Sequence, residues 1–242
     1  MQIYDDLTDL VETVASFLDA GFRADEPALL VITADHVHAF EARVESDGWN
    51  CAELRRQGLL AILDADETLG AFMANDGPSP LRFREAIGRT LDELVARRPA
   101  ATIRVFGEMV DVLSRQGHVS AAIALEELWN DLSQERRFAL LCGYQLDVFE
   151  LEVQTQALPE IFRVHSCQRP VADPARLAAA VDKALLDTVG PREAGNIYLR
   201  VAEAVPRSGL PRAQAVRSWL SSTNDSTAQQ VLSRARALYA TA

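Results

Sequence analysis

The chain has 242 residues, 48% of them hydrophobic and 24% charged. That is ordinary globular composition, long enough for one large domain or a domain with a small appendage, and it excludes a disordered chain, a collagen-like repeat and a disulfide scaffold. The net charge of −11 is uneven, with −15 on residues 1–168 and +4 on residues 169–242, so the body repels polyanions and the tail does not.

The first predicted element is a helix from Asp5 to Ala20, with Leu7, Leu10, Val11, Val14, Phe17 and Leu18 at helical spacing and Gly21 as its C-cap. Ala28–Thr33 is a short apolar run of the kind found in strands buried on both faces. Asp35 can cap the next helix, which runs through Phe40 and Val44 to Gly48. Leu59–Leu63 is a second strand, and Asp66 can cap the helix after it. Pro80–Arg97 reads as one helix with Phe83, Ile87, Leu91, Leu94 and Val95 on its apolar face. A third strand, Ile103–Phe106, ends in Gly107-Glu108. Two helices broken at Gly117 follow, and a fourth strand, Phe138–Cys142, ends in Gly143-Tyr144.

Strands alternating with helices give an α/β fold with a mainly parallel sheet covered by helices. The change of charge near Arg169-Pro170 suggests two domains, 1–168 and 169–242. The second reads as all helical: Pro174–Val189, Glu193–Val205, Pro211–Leu220 and Ser226–Tyr239, with breaks at Pro191, at 206–209 and at 223–225.

Three cysteines, Cys51, Cys142 and Cys167, with no CxxC pair, read as reduced thiols of a cytoplasmic protein, Cys51 in a polar loop. The acidic start is unlike a signal or transit peptide, and no apolar run approaches the ~18 residues of a membrane helix. No internal repeat is present, and Lys183 is the only lysine.

Ligands of such sheets sit beyond the carboxyl ends of the strands, here at Thr33, Asp64, Glu108 and Cys142/Tyr144. A phosphate-binding loop needs glycines and a lysine after the first strand. Thr33-Ala34-Asp35-His36 offers neither, and GxGxxG, GxSxG and HExxH are also absent. Two roles fit Glu108: a ligand contact, or a carboxylate satisfying the N–H groups of the helix that starts at Met109. His36 and His38 read as a solvated helix start, because two histidines without a further nearby ligand do not make a metal site. His165 and Cys167 have the same shortcoming. Glu126 and Trp129 share a helix, with Trp129 as core or pocket wall. Cys142 reads as a small core residue. No metal and no cofactor are expected.

Phe17-Leu18-Asp19-Ala20-Gly21-Phe22-Arg23-Ala24-Asp25-Glu26-Pro27-Ala28-Leu29, with Tyr4-Asp5-Asp6 before it, resembles the opening of the MEDS domain, the methanogen/methylotroph DcmR sensory domain. So do Ile103–Met109, Ala124–Asn130 and Leu140–Tyr144, and Ile161–Ser166 resembles the domain's end. The resemblance covers roughly residues 1–170. It implies a RecA/KaiC-like core without its nucleotide loop, acting as a sensory input module in prokaryotic signalling. The family usually carries a His, and often a Cys, just upstream of the tyrosine matched by Tyr4; Met1 stands three residues before it here. Carried over residue by residue, the candidate ligand-binding residues are Tyr4, Glu108, Glu126, Trp129, Cys142, Tyr144 and His165.

The expected function is non-catalytic sensing or regulation. The expected ligand is a small, uncharged or weakly polar organic molecule. The expected partner is a two-component protein, a histidine kinase or response regulator. The candidate side chains are expected to converge in one pocket. The alternative is a transcriptional regulator whose helices 211–220 and 226–239 form a helix-turn-helix, with Arg207, Arg212, Arg217, Arg234 and Arg236 exposed towards DNA. A net +4 over that region is modest, so nucleic acid is the less favoured partner. An enzyme using Glu108, Cys142 and His165 is a further alternative, although no motif fixes a reaction.

Overall fold

A computed structural model describes residues 1–4, 7–74, 77–145, 163, 174–204, 212–223 and 225–241. The chain divides into two compact units, one holding the described residues up to Gln145 and the other the helices from Pro174 onward. The expected boundary at 168/169 lies outside the described residues.

The first unit is wound around one sheet. Its strands are β1 (Gln2–Tyr4), β2 (Ala28–Ile32), β3 (Leu60–Asp64), β6 (Ile103–Gly107) and β7 (Phe138–Gln145), with a separate hairpin of β4 (Met73–Ala74) and β5 (Gly77–Pro78). The order across the sheet is β1-β7-β6-β2-β3, and every pairing is parallel. The four strands read from sequence are present within two residues of their expected starts. β1 was not expected: three residues are too few for a period-two pattern, and its Gln2 and Tyr4 do not look like core. Both are buried because β7 runs on past Cys142 and supplies them with a partner edge.

Side chains alternate across a strand, so each face has its own core. Leu30, Ile32, Phe106 and Leu141 pack with α1 (Leu7–Arg23), α2 (Ala34–Ser46) and α3 (Cys51–Arg56). The opposite face meets α4 (Ala65–Phe72), α5 (Pro80–Phe83), α7 (Met109–Arg115) and α8 (Val119–Glu135). There Phe72, Phe83, Trp129 and Phe138 form a chain of edge-on ring contacts, with centroids 5.1–5.8 Å apart. After β2 the chain moves outward to β3, and after β6 it moves the other way to β7. The carboxyl ends of β2 and β6 therefore flank the switch point where open α/β sheets hold ligands.

Several local expectations change. Gly21 lies inside α1 and does not end it. A Cβ there would come within 2.6 Å of Arg104 Cγ, so the glycine makes room for the arginine stem that reaches Glu26 at 2.7 Å. Asp64, not Asp66, caps α4 by accepting from Glu67 N at 2.8 Å. Thr33, not Asp35, is the N-cap of α2. Cys51 opens α3 and is buried. The Pro80–Arg97 stretch widens into a π-turn at Arg84–Gly88 before α6 (Arg89–Arg97), and keeps Phe83, Ile87, Leu91 and Leu94 inside.

The second unit is helical, as expected, in α9 (Pro174–Ala204), α10 (Arg212–Ser222) and α11 (Ser226–Thr241). α9 breaks at Gly190, whose φ of 75° lies in the left-handed region, and Pro191 restarts it. Leu177, Leu185, Val201, Val216, Leu220 and Val231 are buried. One member of the exposed arginine set is corrected here: Arg217 is buried at 1% relative exposure. Arg212, Arg234 and Arg236 are exposed as expected, with Arg212 stacked on Tyr198 and paired with Asp182, and Arg234 paired with Asp187. Arg207 lies outside the described residues.

Candidate functional site

β2 and β6 run side by side with Val31 opposite Gly107, so the residues after them meet. Glu108 N donates to Val31 O at 2.9 Å, which seats the glutamate beside the β2–α2 turn. Its side chain is 1% exposed. Oε2 accepts from Thr33 N at 2.9 Å and from Thr33 Oγ1 at 3.2 Å. Oε1 lies 2.8 Å from His36 Nδ1. An ionised carboxylate has no proton to give, so Nδ1 carries it and the imidazole donates. The hydrogen bond to Glu108 raises the pKa of His36 against the opposing effect of burial. The histidine side chain is 21% exposed while Glu108 is enclosed.

This changes two readings. Glu108 does not cap α7 with its side chain; it crosses to the neighbouring strand. His36 is not a freely solvated helix residue; it is held by a buried acid. The β2–α2 turn thus holds the chain's own carboxylate, on Thr33 and His36.

Asp111, one turn into α7, is also 1% exposed. It accepts from Gln145 N at 2.7 Å, and Arg115 Nε lies 3.0 Å from its other oxygen. Burial pushes its pKa up to about 6, the Gln145 bond and Arg115 opposing. Tyr4, on the edge strand, makes no conventional side-chain hydrogen bond to a described residue. Burial, then the neighbouring charges of Asp111 and Glu108, raise the pKa of its phenol.

A second polar group lies on the other side of the sheet. Cys142 and Tyr144 alternate with Leu141, which belongs to the α1–α2 core, and so face α8. Tyr144 donates its hydroxyl to Glu126 Oε1 at 2.8 Å, and the Cys142 thiol lies 3.4 Å from Glu126 Oε2. All three residues are at most 2% exposed. Burial and then the Glu126 charge raise both the thiol and the phenol.

The expectation of one converging pocket is therefore corrected. Glu108 turns to the start of α2, on the side of Phe106, whereas Cys142 and Tyr144 turn to α8. Trp129 is 1% exposed between Phe83 and Phe138, as core. His165 lies outside the described residues. Sequence reasoning placed Thr33 at the strand ends where ligands sit, but missed its bond to Glu108, and missed His36 and Asp111 as neighbours of that acid. Asp111 left a signal, as the one acid in the run Met109-Val110-Asp111-Val112-Leu113. The pairing of Thr33 and His36 with Glu108 left none, because that partner is 72–75 residues away. No group of three metal-ligating side chains occurs among the described residues.

The architecture is thus that of an α/β domain with a five-stranded parallel sheet whose β2–α2 turn holds a buried carboxylate. Residues 1–166 match the family described as MEDS, the methanogen/methylotroph DcmR sensory domain, and the chain belongs to that family. No curated protein and no solved structure matches it.

Proposed function

We propose that the protein is a non-catalytic sensory or regulatory module of prokaryotic signal transduction. In this reading it has a KaiC-like core, works in the cytoplasm, binds a small organic ligand at the carboxyl edge of its sheet and passes the signal to a two-component partner. Membership of a sensory family supports the general role. The observation that carries the reading is the Glu108 carboxylate bonded to Thr33 and His36 at the switch point. It puts a negative charge where a nucleotide phosphate would need donors, and it leaves a mostly buried imidazole with one partly exposed side where a smaller molecule can be met. Among the described residues no helix is long and apolar enough to cross a membrane. Of the tail arginines that would support a nucleic-acid partner, Arg217 is buried, and Arg212 and Arg234 are exposed but paired with Asp182 and Asp187 of their own helical unit.

The test is hydrogen exchange on the full chain against a panel of small organic compounds, run beside an ATPase assay. Slowed exchange confined to the β2–α2 turn and the start of α7, with no ATP turnover, supports the reading. Magnesium-dependent ATP turnover that disappears on replacing residues 33–36 contradicts it.

A further inference from the structure

The two edges of the sheet are finished differently. β1 closes one with three residues, all of them buried. β3 closes the other with five, of which Ala61, Ile62, Leu63 and Asp64 are only half-buried. The run Leu60-Ala61-Ile62-Leu63 carries no charge and no proline, two devices by which natural edge strands keep other strands away. Ala28 pairs with Leu60 in the parallel register, and Ala28 N donates to Leu59 O at 2.8 Å. Alternate residues of a parallel strand turn their polar groups to opposite sides. Ala61 and Leu63 therefore bond to β2, while Leu60 and Ile62 turn their N–H and C=O groups to the open side. Charge is ordered along this edge. At its amino end Arg56 is 74% exposed, and the stem of Arg97 lies against Gly58. At its carboxyl end Asp66 and Glu67 are exposed. Arg97, Asp66 and Glu67 make no ion pair with one another or with any other described residue.

We propose that β3 is a homodimer interface, at which two copies of this chain pair β3 with β3 antiparallel about a two-fold axis at Ile62 and join their sheets into one. A two-fold contact must be self-complementary, and this edge is. Ile62 faces Ile62 of the second copy and exchanges both hydrogen bonds with it, and Leu60 faces Asp64. Two residues further out, Gly58 with Arg97 against it comes opposite Asp66. The antiparallel sense sets each basic end on an acidic end, whereas a parallel sense would set like on like. The −15 carried by residues 1–168 opposes self-association in general, so a second copy needs a place where opposite charges meet locally, and the β3 edge supplies it. Neither the ligand nor the signalling partner enters this inference.

The experiment is sedimentation equilibrium of the full chain up to about 100 μM, with amide exchange followed over the same concentrations. The expected mass rises with concentration towards twice the 26.6 kDa of one chain. Exchange of the Ile62 amide should slow as the dimer forms, while that of Ala61 and Leu63, already bonded to β2, changes less. Ile62→Pro removes an outward N–H and no bond to β2, a change that edge strands tolerate, and should leave a monomer throughout. Arg97→Glu should weaken the dimer about tenfold, since the two-fold axis reverses two charge pairs at once. Adding Asp66→Arg to Arg97→Glu should restore it. Arg97→Glu leaves the strand untouched, so the test survives if Ile62→Pro fails to fold. A parent chain that stays monomeric at about 100 μM, a dimer that both single variants leave unchanged, or a dimer that forms without slowing the Ile62 amide overturns the proposal.

Discussion

The two buried polar groups of the sheet domain are built from similar parts and end in different states. On the α2 side, Glu108 holds His36 and Thr33; on the α8 side, Glu126 holds Tyr144 and Cys142. Each centres on a glutamate that is nearly inaccessible. The difference lies in the partner. Tyr144 and Cys142 are interior strand residues, and they and Glu126 are all but inaccessible. His36 sits in the first turn of a helix beyond the strand end, so its far side meets solvent. A buried acid thus becomes either a packing device or an anchor for an outward group, according to whether its partner lies within the sheet or past its edge.

Breaking the anchors is the harshest way to compare them. Glu108→Ala removes a buried charge with three bonded donors and should cost about 3–5 kcal/mol in urea unfolding. A loss under about 1 kcal/mol would show that the Thr33 and His36 contacts are not held in solution. Tyr144→Phe deletes one bond to Glu126 and should cost roughly 1.5–3 kcal/mol without changing the titration of His36. A shifted His36 midpoint in that variant would join the two groups into one.

The pH dependence adds to the comparison, because Asp111 on α7 and His36 on α2 both have raised pKa values. Asp111 moves from an ordinary 3.8 to about 6. The folded state then holds its proton more tightly than the unfolded state. The stability linked to this proton is complete below about pH 4 and is lost as pH rises through about 6. Asp111→Asn should therefore be more stable than the parent at pH 7, by on the order of 2 kcal/mol, and the gain should shrink towards pH 4. A variant less stable at every pH would show that the Arg115 and Gln145 contacts outweigh burial. His36 is raised as well, so its contribution is complete below its ordinary value near 6.5 and is lost as pH climbs through its higher folded value.

The smallest effect concerns Cys142. Its raised, buried thiol should resist iodoacetamide at pH 8 in the folded chain and react only on unfolding. Rapid alkylation in the native state would open the α8 side to solvent and erase the contrast with His36.

How much of this was legible differs by distance along the chain. Ala28–Ile32 and Ile103–Gly107 announce themselves as buried strands because their composition is local information. The resemblance to the family also rests on runs of adjacent residues. The Glu108–His36 pair depends on strand order, β6 beside β2 with β3 on the far edge, and nothing in either segment encodes that order. The face reached by Cys142 depends on register: Gly107 lies opposite it, and the pleat then sends Cys142 and Phe106 to opposite sides. Gly21 looked like a helix end because its reason, the passing stem of Arg104, arrives from a distant strand.

The most direct test of the account is the titration of His36 itself, read by NMR from its ring resonances in the full chain and in Glu108→Gln. The account predicts that His36 titrates above the ordinary histidine value with Nδ1 protonated throughout, and that Glu108→Gln lowers its midpoint while leaving His38 unchanged. A His36 midpoint at the ordinary value in both chains would contradict it.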